Sequence, residues 1–181
     1  MASWSAITRR IRVPLGFVFA VIYLWLAHPD PRFLIAGAAL VIVGLGVRAL
    51  ASGHVKKNEQ LTMTGPYAYT RNPLYLGSLL LATGFILAAK SWWIAGAAAV
   101  FFFAVYMPVI FSEEKFLREK FPEFESYAAC VPRLLPRFSR GKGSQGSFSW
   151  DLYCKHREYN ALIGALVILA VLISKMYWYP R

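Results

Sequence analysis

The sequence is short of acidic residues and of cysteines, and these shortages exclude several classes of protein. Only nine Asp and Glu residues accompany twenty Lys and Arg, which gives a formal net charge of +11. The two cysteines, Cys130 and Cys154, form neither a disulfide framework nor a metal-ligand spacing, so we expect two incidental thiols and no metal. A glycine-rich dinucleotide fingerprint and a phosphate-binding loop are both missing, which argues against an ordinary soluble nucleotide-binding fold.

The positive charge does not indicate a nucleic-acid partner, because the chain has no compact basic domain. Basic residues instead lie between apolar blocks, as the topology determinants of membrane proteins do. Hydrophobic residues make up 57% of the 181 residues and the mean hydropathy is +0.45, more than a soluble domain of this size carries. We therefore predict a single all-α domain spanning residues 1–181, a polytopic bundle of membrane helices.

Five apolar blocks predict about five transmembrane helices. The first block also resembles a signal peptide, with a basic start and an apolar middle, but it lacks the small-x-small cleavage site, so we expect an uncleaved helix. The second block contains Gly37, Gly44 and Gly46, which would allow close helix packing. It also contains Arg48, whose side chain could extend to the lipid headgroups. The blocks are residues 13–27, 33–52, 73–89, 92–111 and 160–174.

Only Lys90 and Ser91 separate the third and fourth blocks. A single helix through both blocks would be about 58 Å long, whereas the hydrocarbon core of a bilayer is about 30 Å thick. The sequence therefore predicts two helices with a tight reversal near Lys90, where Trp92 and Trp93 act as interfacial anchors. The aromatic residues 177–179, after the fifth block, predict a further interfacial belt.

The distribution of basic residues predicts the orientation in the membrane. With five spans and a cytosolic N-terminus, sixteen of the twenty Lys and Arg residues lie on the cytosolic side and four lie on the other. The positive-inside rule thus favours a cytosolic N-terminus and a C-terminus on the opposite side. Two polar segments, residues 53–72 and 112–159, then face the cytosol. The second contains a charged helical stretch, residues 113–127, and a glycine- and serine-rich linker, residues 141–147.

The first polar segment has features of a ligand site. Gly65-Pro66 signals a turn, and Asn72-Pro73 predicts a helix start with Asn at the N-cap. A well-made loop and a capped helix would explain these residues, but a helix N-terminus also suits an anion such as a carboxylate. Three tyrosines whose rings could face a cation crowd the same stretch: Tyr67, Tyr69 and Tyr75.

The second polar segment adds two features, each open to two interpretations. Glu113-Glu114 is either an interfacial polar boundary or a ligand for an amine, a pair of hydroxyls or a sulfonium. At a helix C-terminus this pair would oppose the macrodipole, an objection that weakens if the helix continues to Lys120. Residues 127–137 form either a basic segment that touches anionic lipid or part of the same site. Together the two segments describe a site for a zwitterionic, partly cationic ligand, and S-adenosylmethionine carries all of these groups.

Residues 61–77 read Leu-Thr-Met-Thr-Gly-Pro-Tyr-Ala-Tyr-Thr-Arg-Asn-Pro-Leu-Tyr-Leu-Gly. This run resembles the signature loop of the isoprenylcysteine carboxyl methyltransferase family, whose wider relatives include phospholipid N-methyltransferases. Glu113-Glu114, Tyr127 and residues 131–136 resemble that family's second motif, so the resemblance covers about residues 44–136. It implies a bundle of membrane helices with a cytosolic pocket for S-adenosylmethionine and a methyl acceptor that enters from the bilayer. The extra helix at about 160–179 is absent from many relatives.

The resemblance also implies roles for single residues. Arg71 would face the acceptor or the cofactor carboxylate, Arg133 would help to close the site, and Glu113 or Glu114 is the candidate base for an amine acceptor. Asn72 stands where the family usually has histidine, and an amide cannot act as a base near neutral pH. Cofactor contacts are implied for His54, Gln60, Leu61, Thr62, Tyr67, Asn72, Pro73, Tyr75, Glu113 and Glu114.

We therefore predict methyl transfer from S-adenosylmethionine to a lipophilic or membrane-embedded acceptor, either a carboxylate or an amine. Two alternatives stay open: a membrane reductase of the sterol type with a nicotinamide cofactor, and a non-enzymatic scaffold or small transporter. The chain is short for the reductase, and its spans carry little charge beyond Arg48 for a transporter. The expected partners are a lipophilic small molecule or lipid-anchored acceptor and membrane lipids, with the oligomeric state left open.

Overall fold

The computed structural model describes residues 4–56, 59–137 and 146–178, and these residues form helices and connecting loops without any strand. The all-α prediction is confirmed. The helices are α1 (Trp4–Leu26), α2 (Pro31–Ser52), α3 (Pro73–Ala89), α4 (Trp92–Phe101), α5 (Met107–Lys120), α6 (Phe124–Cys130), α7 (Trp150–Lys155) and α8 (Tyr159–Trp178), with a 3-10 turn at Gly65–Ala68 and a π turn at Phe102–Tyr106. Some residues used for the predictions lie outside the described ranges: Lys57, Arg140, Lys142, Tyr179, Arg181 and linker residues 141–145.

Three helical segments among the described residues are long and apolar enough to cross a bilayer: Pro31–Ser52, Trp92–Lys120 and Tyr159–Trp178. Two shorter apolar helices, Pro14–Leu26 and Pro73–Ala89, accompany them. Many large apolar side chains on these helices are exposed, for example Ile35, Val100 and Leu166, as expected when lipid is the solvent. The membrane bundle is thus confirmed, while the count of five spans stays a prediction.

The tight reversal between the third and fourth apolar blocks is also confirmed. Lys90 ends α3 in the left-handed conformation, with φ of 50°, and α4 begins at Trp92. Trp92 and Trp93 are 92% and 83% exposed, as interfacial anchors require. The helix ends of α1 and α8 meet nearby, since Lys175 Nζ donates to the Leu24 carbonyl O at 2.8 Å. We call this face the Lys90 end, and the opposite face, with the long loops, the loop end.

Glycines bring α2 and α3 into close contact. A Cβ placed on Gly44 would lie 2.8 Å from the Gly77 carbonyl O and 2.8 Å from the Leu81 amide N. Gly37 packs against Gly84 in the same way. The prediction for Gly46 is wrong, because no other part of the described chain comes within 4 Å of a Cβ at that position. Two of the three predicted glycines therefore set the contact between α2 and α3.

Arg48 has a protein partner that was not predicted. Its guanidinium forms an ion pair with Glu158, with an Nη2–Oε2 distance of 2.7 Å. Glu158 reaches α2 because residues 146–158 fold back onto its end, where the Ser149 amide donates to the Gly53 carbonyl O at 2.9 Å. A paired guanidinium needs no headgroup to neutralise it.

The helical segment that carries Glu113 and Glu114 contains two local irregularities, a π turn and a proline. The π turn Phe102–Tyr106 precedes Pro108, a residue that cannot donate its backbone N–H and crowds the preceding turn. Beyond it, α5 continues to Lys120. Glu113 and Glu114 therefore lie inside a helix and not at its end, which removes the conflict with the macrodipole.

Candidate functional site

The loop before α3 is shaped by a glycine in the left-handed region. Gly65 has φ of +58°, and a Cβ there would meet the His54 ring, at 2.7 Å from Nε2. Pro66 follows, and the Tyr67 amide donates to the Thr64 carbonyl O at 3.2 Å. Only glycine suits both the conformation and the space. The predicted turn at Gly65-Pro66 is confirmed as the 3-10 turn that places Tyr67.

A second loop runs alongside the first and is joined to it through backbone atoms. The Arg71 amide donates to the Pro132 carbonyl O at 2.9 Å, and the Arg137 amide donates to the Tyr69 carbonyl O at 3.0 Å. Thr70, which is 2% exposed, lies 3.1 Å through Oγ1 from the carbonyl O of Arg133. These bonds bring Arg71 and Arg133, which are distant in sequence, to one place.

Glu114 forms ion pairs with both of these arginines. Its side chain is 5% exposed and accepts from Arg133, with an Nη2–Oε2 distance of 2.9 Å and an Nε–Oε2 distance of 3.0 Å. Its other oxygen accepts from Asn72 Nδ2 at 2.9 Å, and Arg71 Nε lies 3.7 Å from it. We call these four residues the Glu114 cluster. Two guanidinium groups and one carboxylate leave the cluster with an excess of one positive charge.

Arg71 has a donor that faces Glu114 at ion-pair distance, 3.7 Å, without forming a hydrogen bond. Its Nε is buried and has no hydrogen-bond partner among the described residues. A buried donor without a partner is costly, and here it adjoins an excess of positive charge. The Glu114 cluster is thus suited to an additional anionic oxygen, such as that of a carboxylate.

Two buried tyrosines lie beside the cluster. The Tyr127 hydroxyl donates to the Tyr67 carbonyl O at 2.7 Å. Burial raises the pKa of Tyr67 well above its ordinary value, and Tyr127 and the carboxylates of Glu113 and Glu158 raise it further. Burial also raises the pKa of Tyr127, against a smaller opposing effect of Arg71. Both phenols therefore stay protonated at neutral pH. The carboxylates that raise the pKa of Tyr67 belong to Glu113 on α5 and to Glu158, just before α8.

The structure brings several of the predicted site residues together. Arg71, Asn72, Glu114 and Arg133 form the cluster, and Pro73 occupies the first position of α3 as expected. The Asn72 side chain does not cap α3, because its amide donates to Glu114 and to the Arg133 carbonyl O instead. The capping prediction holds for the position of Asn72 and is wrong for its side chain.

A second group of predicted residues lies near Tyr67. Glu113 is half-buried and is close enough to raise the pKa of Tyr67. The ring of Tyr75 packs edge-on against Tyr106, with 6.0 Å between centroids. Tyr106 was not predicted, and no local signal distinguishes it from the other aromatic residues of its helix. Aromatic rings and a carboxylate thus adjoin the positive cluster.

The remaining predicted cofactor contacts lie elsewhere, without a hydrogen bond or ion pair to Glu114. His54 Nδ1 lies 2.7 Å from the Leu50 carbonyl O, to which a protonated Nδ1 donates, and His54 and Tyr69 line an apolar groove of about 430 Å³. Leu61 packs on the apolar cluster of α6. Thr62 accepts from the Lys56 amide at 3.3 Å, and Gln60 is exposed.

The sequence profile of the phospholipid methyltransferase family matches residues 33–123, half of the chain. The chain belongs to this family. The match contains Arg71, Asn72, Glu113 and Glu114, but not Arg133 or Glu158. A membrane methyltransferase family agrees with the apolar helices of the fold.

Two curated relatives carry names that refer to metal resistance. A cobalt-zinc-cadmium resistance protein of Cupriavidus metallidurans is 34% identical over 68% of this chain and 56% of its own length. A nickel-cobalt-cadmium resistance protein of Alcaligenes xylosoxydans xylosoxydans is 36% identical over 56% of this chain and 52% of its own length. The chain thus spans about half the length of these relatives. Within the described residues, no group of three or more His, Cys, Asp or Glu side chains is arranged to hold a metal ion. No solved structure matches the chain.

Proposed function

We propose that the protein transfers a methyl group from S-adenosylmethionine to a lipophilic or membrane-embedded acceptor. The observation that carries the proposal is the Glu114 cluster at the start of a membrane helix, where the buried Nε of Arg71 makes no hydrogen bond within the described residues. Membership of a methyltransferase family supports it.

The residues present fit this cofactor. The excess positive charge and free donor at Arg71 suit its carboxylate. The carboxylate of Glu113 suits its ammonium or ribose hydroxyls, and the rings of Tyr67 and Tyr75 suit a positive centre. When bound, S-adenosylmethionine supplies a methyl group that its sulfonium has already activated.

The protein's own residues then orient the acceptor and exclude water. Both oxygens of Glu114 are engaged by Asn72 and Arg133, so Glu114 holds the site together and Glu113 is the better candidate to take a proton from an amine acceptor. A carboxylate acceptor needs no base and would be held by Arg71 or Arg133.

The first test measures binding of S-adenosylmethionine to the purified protein in detergent by calorimetry. We expect binding by the wild type, and dissociation constants roughly 10 to 100 times higher for Glu113→Gln, since a hydrogen bond to a charged group contributes about 1.5–3 kcal/mol. Glu119→Gln on the same helix is the control, because Glu119 is 65% exposed and should leave the affinity unchanged. Absence of binding by the wild type, or displacement by a reduced nicotinamide nucleotide, would refute the proposal.

The same variants distinguish the two acceptor classes. Membranes incubated with methyl-labelled S-adenosylmethionine should yield a labelled lipophilic product in the presence of the protein. At saturating cofactor, an amine acceptor predicts loss of turnover in Glu113→Gln, whereas a carboxylate acceptor predicts turnover close to that of the wild type. Label confined to water-soluble products would contradict a membrane acceptor.

We also propose that the loop end faces the cytosol, as the distribution of basic residues suggests. Cys130 and Cys154 are both free and exposed at this end. A membrane-impermeant maleimide should therefore label the protein in inverted vesicles or permeabilised cells and not in intact cells. In a Cys130→Ser/Cys154→Ser background, Ser91→Cys at the Lys90 end should be labelled in intact cells and not in sealed inverted vesicles. Labelling of the native cysteines in intact cells would invert the proposed orientation.

A further inference from the structure

The segment that precedes α8 is bound to the end of α2 at several points. The Ser149 amide donates to the Gly53 carbonyl O at 2.9 Å, and His156 Nδ1 lies 3.1 Å from the Ser52 carbonyl O. The ring of Phe148 occupies the space where a Cβ on Gly53 would be. This segment lies outside the residues that match the family profile, so its contacts are an addition to the family core.

Glu158 makes the strongest of these contacts. Both of its carboxylate oxygens face Arg48 Nη2, at 2.8 Å and 2.7 Å, and Arg48 Nε donates to Oε2 at 3.1 Å. The two side chains are 22% and 12% exposed. A partly buried ion pair of this kind is weak evidence for stability, since desolvation offsets much of the attraction. Its several contacts are better explained by a geometric role.

The same guanidinium also holds the first turns of α3. Arg48 Nη1 donates to Ser78 Oγ at 2.5 Å and lies 3.5 Å from the Leu74 carbonyl O. Leu74 is adjacent to Tyr75, and the helix that they share begins directly after Asn72. The ion pair is therefore bonded to the beginning of α3, the part of the helix next to Asn72 and Tyr75.

The charge of Glu158 also acts on the loop that precedes Asn72. It contributes to the raised pKa of Tyr67, which belongs to that loop, as does the charge of Glu113.

We propose that Glu158 is a positioning residue of the Glu114 site. It holds the Arg48 guanidinium against Ser78 and Leu74, and so fixes the end of α3 from which Asn72 and Tyr75 extend. The binding measurement that tests this inference rests on the proposed function, whereas hydrogen–deuterium exchange tests it independently of that function. A purely structural tether between α2 and α8 would affect stability without affecting the site.

The test compares four full-length variants in detergent by S-adenosylmethionine calorimetry, thermal unfolding and hydrogen–deuterium exchange of peptides that cover residues 70–80. For Glu158→Gln we expect a dissociation constant about tenfold higher, the size of effect typical of residues that orient a ligand shell, together with faster exchange in residues 70–80. Glu158→Asp, which keeps the charge, should restore part of the affinity and part of the protection from exchange. Lys155→Ala is the matched control, because its pair with Glu59 tethers the same segment at 3.8 Å but is 68% and 64% exposed. It should change neither readout.

A double variant separates positioning from folding. In Arg48→Met/Glu158→Met no unpaired charge is left, and replacing both partners of a buried pair is often tolerated. We expect an unfolding temperature near that of the wild type, with affinity still about tenfold weaker and exchange still faster. Unchanged affinity and exchange in this variant would overturn the inference while leaving the proposed function intact. If the Glu158 variants show faster exchange in residues 70–80 but the wild type does not bind S-adenosylmethionine, the positioning of α3 is supported and the proposed function is refuted.

Discussion

Replacing Glu114 with glutamine should abolish binding of S-adenosylmethionine and lower the free energy of unfolding by about 3–5 kcal/mol, the usual cost of removing one partner of a buried ion pair. The carboxylate is 5% exposed and pairs with Arg133 at 2.9 Å. Without it, two guanidinium groups remain close together with no neutralising charge. Glutamine would also direct an amide N–H toward either Asn72 or Arg133, both of which are donors there.

The measurements are calorimetry for binding and denaturant or thermal unfolding in detergent for stability. Glu125→Gln is the control, because Glu125 also pairs with an arginine, Arg118, but is 66% exposed. A surface pair of this kind contributes at most about 1 kcal/mol. Equal losses in the two variants would show that the Glu114 cluster has no special role, and cofactor binding that survives Glu114→Gln would remove the cluster from the site.

Gly44→Ala is expected to have the second large effect, a destabilisation of about 1–3 kcal/mol from overpacking. The new Cβ would lie 2.8 Å from the Gly77 carbonyl O and from the Leu81 amide N. Backbone atoms cannot rotate away as a side chain can, so α2 and α3 would have to separate. Since Arg48 on α2 bonds to α3, the separation should also weaken cofactor binding.

Gly46→Ala is the matched control, two residues along the same helix. Within the described ranges, no residue from another part of the chain lies within 4 Å of its Cβ, and alanine is the better helix former by about 1 kcal/mol. This variant should be as stable as the wild type or slightly more so. The comparison is made by thermal unfolding and by size-exclusion profiles in detergent. Equal stability of the two variants would contradict the close packing of α2 on α3.

Features that depend on local sequence were predictable. The apolar blocks, the short Lys90-Ser91 connection and the Asn72-Pro73 start each follow from hydropathy or backbone geometry, and each is present. Helical phase also separates the glycines, since Gly37 and Gly44 are seven residues apart and share a face, whereas Gly46 lies about 200° round the helix from Gly44. The helical positions of the three glycines therefore distinguish Gly46 from Gly37 and Gly44, whereas the number of glycines in the block does not.

Pairings between distant residues were not predictable in the same way. Both arginines, Asn72 and Glu114 were candidates, but their joint geometry depends on backbone bonds between two loops, in which the unpredicted Thr70 takes part. Arg48 was expected to meet lipid because its partner, Glu158, lies 110 residues away. A charge pair of this separation has no signature in local sequence, since either residue alone is compatible with an exposed position.

The length of α3 has a consequence for the depth at which the proposed acceptor would react. Its 17 residues span about 26 Å at 1.5 Å per residue, less than the roughly 30 Å of hydrocarbon. If α3 is the membrane span that its sequence predicts, with its Lys90 end anchored by Trp92 and Trp93, this hydrophobic mismatch would leave the start of the helix a few ångströms below the far boundary or draw that leaflet inward. The Glu114 cluster, at the start of α3, would then sit at the depth of the lipid ester groups. In the methyl transfer that we propose, a hydrophobic acceptor would reach it by lateral diffusion, without its tail ever entering water.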